Sequence, residues 1–142
     1  MIKKIFIFCI ITSSVFVLHA GKGKKNTDNL PLLNTKWILE ELFEKPIIQG
    51  LDTAFIIFQE TYKFSGNFGC NLFFGEFNFG KKRIKIDYCG ATKSYCADMR
   101  LEEQFAKALR TEITHYYIEK NKLYLRHQNK TICKFKALAS SE

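Results

Sequence analysis

The chain of 142 residues has little proline, little histidine and no long hydrophobic run. The chain has only two prolines, and 46% of its residues are hydrophobic. This composition excludes an intrinsically disordered protein, because disordered chains are poor in apolar residues and rich in proline. The N-terminal apolar stretch, residues 5–18, is shorter than the ~20 residues that a helix needs to cross a bilayer. A membrane anchor is therefore the weaker interpretation of this stretch.

The N-terminus has the arrangement of a secretory signal peptide. Lys3 and Lys4 precede the apolar stretch, and Ala20 offers a small residue for cleavage. Cleavage there removes two lysines and no acids, so the formal charge falls from +8 to +6. We expect export to the periplasm, the outer-envelope surface or the medium, with no membrane span in the mature protein. The predicted organisation is a signal peptide over residues 1–20, a flexible linker over 21–33, one folded domain over 34–138 and a tail over 139–142.

The residue patterns of common enzymes and metal sites are missing. His115 and His127 follow the signal peptide, and no Gly-x-Ser-x-Gly elbow or His-x-x-x-His pair accompanies them. The later cysteines include no Cys-x-x-Cys pair of the kind that zinc sites use. We predict a protein that is not an enzyme and has no cofactor and no metal.

Basic residues are dense at one place in the predicted domain, at Lys81, Lys82, Arg83 and Lys85. A surface for single-stranded nucleic acid needs such residues interleaved with exposed aromatic side chains on one face. Because we also expect export, we predict no nucleic-acid partner. We expect instead a monomer that acts on an unidentified protein or envelope component.

Alternation of aromatic or β-branched residues with polar ones predicts strands over much of the chain. In one example, Phe73 and Phe77 face one side of a strand and Phe74 faces the other. Short strands joined by polar turns predict an antiparallel sheet or a small barrel. The predicted strands cover residues 35–42, 54–58, 62–65, 72–79, 83–88, 114–119, 123–126 and 131–138.

One helix is predicted between the strands. Leu101, Phe105, Ala108 and Leu109 recur at helical spacing and form an apolar stripe, which we expect to pack on the sheet. Asp98 precedes the stripe as a candidate N-cap. The predicted fold class is therefore mainly β, a small antiparallel barrel or strongly curled sheet with one packed helix.

Three glycines, Gly66, Gly69 and Gly75, interrupt an aromatic segment. Glycine weakens a strand, so its repetition predicts bulges, positive φ angles or backbones in close contact. Asn71, in the same segment, is interpreted as a turn or bulge residue whose side chain satisfies backbone groups. A surface binding role for Asn71 is the alternative.

Four motifs in a fixed order give a family resemblance. They are Trp37 in the first strand, Gly69-Cys70-Asn71 with Gly75, Thr92 with Cys96, and Glu102 with Phe105. Together they resemble the META domain, the family of the heat-shock protein HslJ, over residues 34–138. The resemblance implies a lipocalin-like barrel with a helix inserted before the last strands. We expect the motif residues to hold this fold together, with Trp37 buried against the helix.

Four cysteines follow the signal peptide, Cys70, Cys89, Cys96 and Cys133. An even number in an exported domain predicts one or two disulfides, and the spacing leaves three connectivities open. The resemblance favours Cys70 with Cys96, which lie in its motifs, and this leaves Cys89 with Cys133 for the second bond. A pair retained as buried thiols is the alternative.

The resemblance also implies a function. HslJ-like proteins are linked to heat induction and novobiocin tolerance, and META domains occur beside protease-inhibitor and envelope proteins. We therefore expect an exported, non-enzymatic, stress-associated domain of the cell envelope. The alternatives are a binding module for a small hydrophobic ligand or a peptide, and a protease-inhibitor-like interaction domain. A ligand inside the barrel would need space, and we expect the many phenylalanines to fill it.

Overall fold

The computed structural model describes residues 29–48 and 53–138. The predicted signal peptide (1–20), the predicted tail (139–142) and most of the predicted linker lie outside the described residues. In the described part, no helix is long and apolar enough to cross a membrane. The elements of the described part are β1 Lys36–Leu42, β2 Lys45–Pro46, β3 Phe55–Phe58, β4 Lys63–Asn67, β5 Leu72–Phe79, β6 Ile84–Ala91, α1 Arg100–Arg110, β7 His115–Glu119, β8 Lys122–His127 and β9 Lys130–Ala137.

The strands form one curled sheet in the order β6-β5-β4-β3-β1-β9-β8-β7, with the short β2 paired to β1. Neighbouring strands are antiparallel. The curl brings the two end strands together, where an isolated bridge joins Arg83 to His115. The N–H of Tyr116 also donates to the carbonyl of Lys82 over 3.1 Å. The result is a half-barrel with one helix, which confirms the predicted fold class.

Aromatic rings fill the inside of the curled sheet. Phe68 and Phe73 stack with ring centroids 4.1 Å apart, and both meet Phe105 of α1 edge-on. Phe73 and Phe77 face this interior and Phe74 faces solvent, as the alternation predicts. Among the residues that the structure describes, the fully buried phenylalanines are Phe58, Phe64, Phe68, Phe73, Phe77, Phe105 and Phe135.

Gly75 lies where the packed rings leave no room for a side chain. A Cβ atom at this position would overlap the ring of Phe64 and the carbonyl of Asp87. Gly66 on the neighbouring strand is in the same situation against the ring of Phe73. The close contacts predicted for this glycine-rich segment are therefore confirmed, and they let aromatic rings lie against the backbone.

Trp37 is fully buried and belongs to the same core as Phe105 and Leu109, as expected. Its indole Nε1 donates a hydrogen bond to the carbonyl of Leu32 over 3.0 Å. The indole therefore has its apolar body in the core and its polar atom satisfied.

The predicted linker is too long at its C-terminal end, because residues 29–33 belong to the folded domain. Leu32 is buried in the core, and Leu33 forms a parallel bridge with Phe58. The N–H of Leu30 donates to Oδ1 of Asn121 over 2.8 Å. The prediction of a flexible linker over 21–33 was wrong at its end. The segment is polar on average, but its last few residues are apolar and reach the core.

The helix α1 packs against β6 and β1 and buries Phe105, Ala108 and Leu109 from the predicted stripe. The predicted N-cap is wrong by one residue, since the helix is preceded by Met99, whose side chain makes no capping bond. Asp98 accepts from the backbone N–H of Arg100, the first residue of α1, over 3.0 Å, and its carboxylate lies 2.7 Å from the Arg100 guanidinium. The hydrogen bonds from Arg100 lower the pKa of Asp98 to about 2.

Candidate functional site

The motif residues come together at one edge of the sheet, where we define a motif cluster of Cys70, Asn71, Thr92, Cys96 and Glu102. They belong to three segments: the turn before β5, the connection from β6 to α1, and the first turn of α1. The fold brings them together although Cys70 and Glu102 are 32 positions apart in the chain. All five residues belong to the sequence motifs, and the structure shows that they form one connected cluster.

Asn71 is the centre of the motif cluster and is buried, with 1% of its surface exposed. Its Nδ2 donates to both carboxylate oxygens of Glu102, at 2.9 and 3.1 Å, and to the carbonyl of Ser94 at 3.0 Å. Its Oδ1 accepts from Thr92 Oγ1 at 2.8 Å and from the Ser94 N–H at 2.7 Å. Both polar atoms of the side chain therefore have partners within the protein.

The turn before β5 depends on Gly69, whose φ angle is 110°. Only glycine adopts this conformation without strain, so the predicted positive φ is confirmed here. The Gly69 N–H donates to Oδ1 of Asn67, and the Phe68 N–H donates to the Asn71 carbonyl over 2.9 Å. These bonds hold the backbone of Asn71 where its side chain reaches Glu102.

A disulfide joins Cys70 to Cys96, with the Cα atoms 6.4 Å apart. It connects the turn before β5 to the segment before α1, the same two segments that Asn71 connects through Ser94. The pairing that the resemblance favours is therefore confirmed. Covalent and hydrogen-bonded links at one place fix the start of the helix relative to the sheet.

Cys89 and Cys133 do not form the second disulfide, so that prediction is wrong. Cys89 lies exposed on β6, and Cys133 lies buried on β9, which is not a neighbour of β6 in the sheet. Burial raises the pKa of the Cys133 thiol. The sequence could not show whether Cys89 and Cys133 pair, because the positions of cysteines along the chain do not reveal which strands are adjacent.

We predict that iodoacetamide modifies Cys89 in the native protein and leaves Cys133 unmodified. Alkylation requires an accessible thiolate, and burial denies Cys133 both access and ionisation. Peptide mapping by mass spectrometry should find Cys133 modified only after unfolding, and Cys70 and Cys96 only after reduction. Modification of Cys133 in the folded protein would contradict the structure.

A second site lies where the two end strands of the sheet meet. This seam cavity, of about 620 Å³, opens to solvent between the β5–β6 turn and the segment that leads into β7. The lining residues that matter most are Phe79, Arg83, Ile84, Glu112, Ile113 and His115. The sequence indicates the basic run that contains Arg83 but not the cavity, because the walls of the cavity come from segments about 30 positions apart in the chain.

The two histidines that follow the predicted signal peptide, His115 and His127, lie near this cavity. His115 contributes to its wall, and its Nδ1 lies 2.9 Å from the hydroxyl of Thr114. His127 lies at the end of β8, with its Nδ1 2.5 Å from the carbonyl of Glu112. Within residues 29–48 and 53–138, no group of three or more His, Cys, Asp or Glu side chains is placed to hold a metal ion.

The outer face of the sheet carries a row of aromatic and charged residues that the sequence did not reveal. Tyr117 and Tyr124 stack with centroids 4.4 Å apart, and the Nζ of Lys134 lies 5.9 Å from the Tyr124 centroid. Glu41 pairs with Lys134, and this hydrogen bond raises the pKa of the lysine. Because the rings stack on each other and the cation is paired, the row is explained by cross-strand stabilisation.

Comparisons with known proteins agree with the motif resemblance. The family model described as META domain matches residues 30–139. Among curated protein sequences, none matches the chain significantly. A structure from Burkholderia xenovorans, solved by NMR, is similar with a TM-score of 0.61 and 19% identity, over 76% of this chain and 84% of that one. A second NMR structure gives a TM-score of 0.56 and 24% identity, over 72% and 87%. At these identities the two structures support the fold alone.

Proposed function

Because the chain belongs to the META domain family, we propose that it is an exported, non-enzymatic domain of the cell envelope that contributes to stress tolerance. The stresses that we propose are heat and novobiocin, as for HslJ-like proteins. The protein acts as a monomer on a protein or another component of the envelope.

The observation that supports a non-enzymatic role is the state of the motif cluster. A catalytic group must contact substrate, but Asn71 is buried and bound on both polar atoms by Glu102, Thr92 and Ser94. Removing these partners would leave buried polar groups unpaired, which costs stability. The cluster is therefore explained as the connection that holds α1 on the sheet.

The disulfide supports export. Disulfides persist in oxidising compartments and are rare in the reducing cytosol. The bond between Cys70 and Cys96 therefore fits a protein that folds after transport across a membrane. Cleavage near Gly21 is the step that we propose for the N-terminus.

Intact mass spectrometry of protein made in its native host tests the proposal. We expect a mature chain that begins near Gly21, with one disulfide and two free thiols, in the envelope or medium fraction. A cytoplasmic protein that retains Met1, with Cys70 and Cys96 reduced, would overturn the proposed export.

A second candidate function is a binding module for a small hydrophobic ligand. The filled interior argues against a ligand inside the barrel, since Phe73 and Phe105 occupy that space with ring centroids 5.3 Å apart. A binding role must therefore use the outer surface.

A further inference from the structure

The apolar wall of the seam cavity is held in place before any ligand binds. Phe79 leaves 37% of its surface exposed, although it lies on a strand whose other inward rings are buried. Its ring stacks on Phe77 at 5.6 Å and meets Tyr116 edge-on at 6.4 Å. Ile84 and Ile113 also line the cavity but expose only 2% and 3% of their surfaces, so Phe79 supplies most of the apolar surface that a ligand can reach. A rigid apolar surface of this kind loses little conformational entropy when a ligand covers it.

The rim of the cavity is also fixed. The hydroxyl of Tyr116 donates to the carbonyl of Gly80 over 3.2 Å, and the Gly80 N–H donates to the carbonyl of Arg83 over 2.9 Å. With the bridge between Arg83 and His115, these bonds attach the β5–β6 turn to β7. Arg83 and Lys85 of the basic run are thereby placed among the lining residues, beside the apolar wall.

The charges at the rim favour an anion. The side chain of Arg83 is exposed and, within the described residues, forms no ion pair, whereas Lys85 pairs with Asp87 at 3.0 Å. Lys81 and Lys82 lie on the same turn and are also exposed. Glu112 is the acid among the lining residues. A guanidinium is well suited to bind a carboxylate or a sulfonate, because it presents planar N–H donors in a fixed geometry.

We propose that the seam cavity binds a small single-chain amphiphile with an anionic head group. The apolar chain lies against the exposed face of Phe79, and the head group binds Arg83 at the rim. The volume of about 620 Å³ falls in the range of roughly 300–1,000 Å³ that is usual for small-molecule sites. Because the cavity opens to solvent, part of the ligand stays hydrated and the affinity is modest. This inference is independent of export and of the stress role.

Titration of the purified chain with decanoate, followed by two-dimensional NMR of the backbone amides, tests the proposal. Decanoate is kept below its micelle-forming concentration, and decyltrimethylammonium serves as the cationic probe of equal chain length. We expect saturable shifts at Phe79, Ile84, Ile113 and His115 with decanoate, and at least fivefold weaker binding of the cation. Equal binding of both probes, or no saturable shift at these residues, would overturn the proposal.

Matched variants separate the charge of the rim from the net charge of the protein. Arg83→Gln should weaken decanoate binding about fivefold, the upper end for an exposed ion pair. Lys136→Gln removes the same charge from an exposed position on β9 and should leave binding unchanged. Glu112→Gln removes the opposing acid and should tighten binding. If Arg83→Gln behaves like Lys136→Gln, the head group is not bound at the rim and the proposal fails. If Arg83→Gln alters the fold, the comparison of the two probes decides.

Discussion

Replacing Trp37 with alanine should lower the free energy of unfolding by about 3–5 kcal/mol, the range for truncation of a large buried aromatic residue. The indole is fully buried beside the helix core, and its removal leaves a cavity that the ring-filled interior cannot readily close. The carbonyl of Leu32 also loses its hydrogen-bond donor. Thermal and denaturant unfolding followed by circular dichroism measures the effect, since Trp37 is the sole tryptophan and its fluorescence is lost with it.

Tyr95→Ala is the matched control for the tryptophan substitution. Tyr95 is a large aromatic residue with 94% of its surface exposed, so its truncation should change stability by less than about 0.5 kcal/mol. Trp37→Phe should fall between the two, because it keeps most of the apolar volume and loses the indole N–H. Equal stability of Trp37→Ala and Tyr95→Ala would show that the indole does not support the core.

Replacing Asn71 with alanine should lower the free energy of unfolding by roughly 2–3 kcal/mol, the upper range for a buried hydrogen bond to a charged group. The change leaves the Glu102 carboxylate, the Thr92 hydroxyl and the Ser94 N–H without the partner that joins them. Asn78→Ala, at an exposed position near the end of β5, is the matched control and should have little effect.

Asn71→Asp separates the charge at this position from its shape. The substitution places a second carboxylate against Glu102, so the pair should hold a proton with a raised pKa in the folded state. Raised folded-state pKa values mean that the variant is most stable at low pH and loses stability as the pH rises through them. Unfolding measured between about pH 4 and pH 8 should show this trend in Asn71→Asp and not in Asn71→Ala.

The same Asn71 variants distinguish a structural role from a functional one. Under the proposed role, Asn71→Ala reduces growth under heat or novobiocin only as far as it reduces the amount of folded protein. A variant with normal stability and no stress tolerance would place Asn71 on a functional surface and contradict the structural interpretation.

Local patterns predicted the elements well where each strand has one buried face. The alternation over Leu72–Phe79 gave the bounds of β5, and the apolar stripe gave α1 to within a few residues. The two-residue strand β2 was not predicted, since two exposed residues show no alternation. The N-cap position falls on Met99, one residue after the predicted Asp98, although the Asp98 side chain still accepts a hydrogen bond from the backbone N–H of Arg100 at the start of α1.

The sequence by itself determined the strand pattern, the helix, the family and the residues of the motif cluster, because each depends on residue types at short spacing. Only the tertiary structure decided which distant segments touch. It left Cys89 and Cys133 unpaired, since the sheet order separates β6 from β9. It also placed Arg83 beside Phe79 and Ile113 at the seam. The physical reason is that closure of a curled sheet depends on the summed twist and register of all its strands, which no local pattern records.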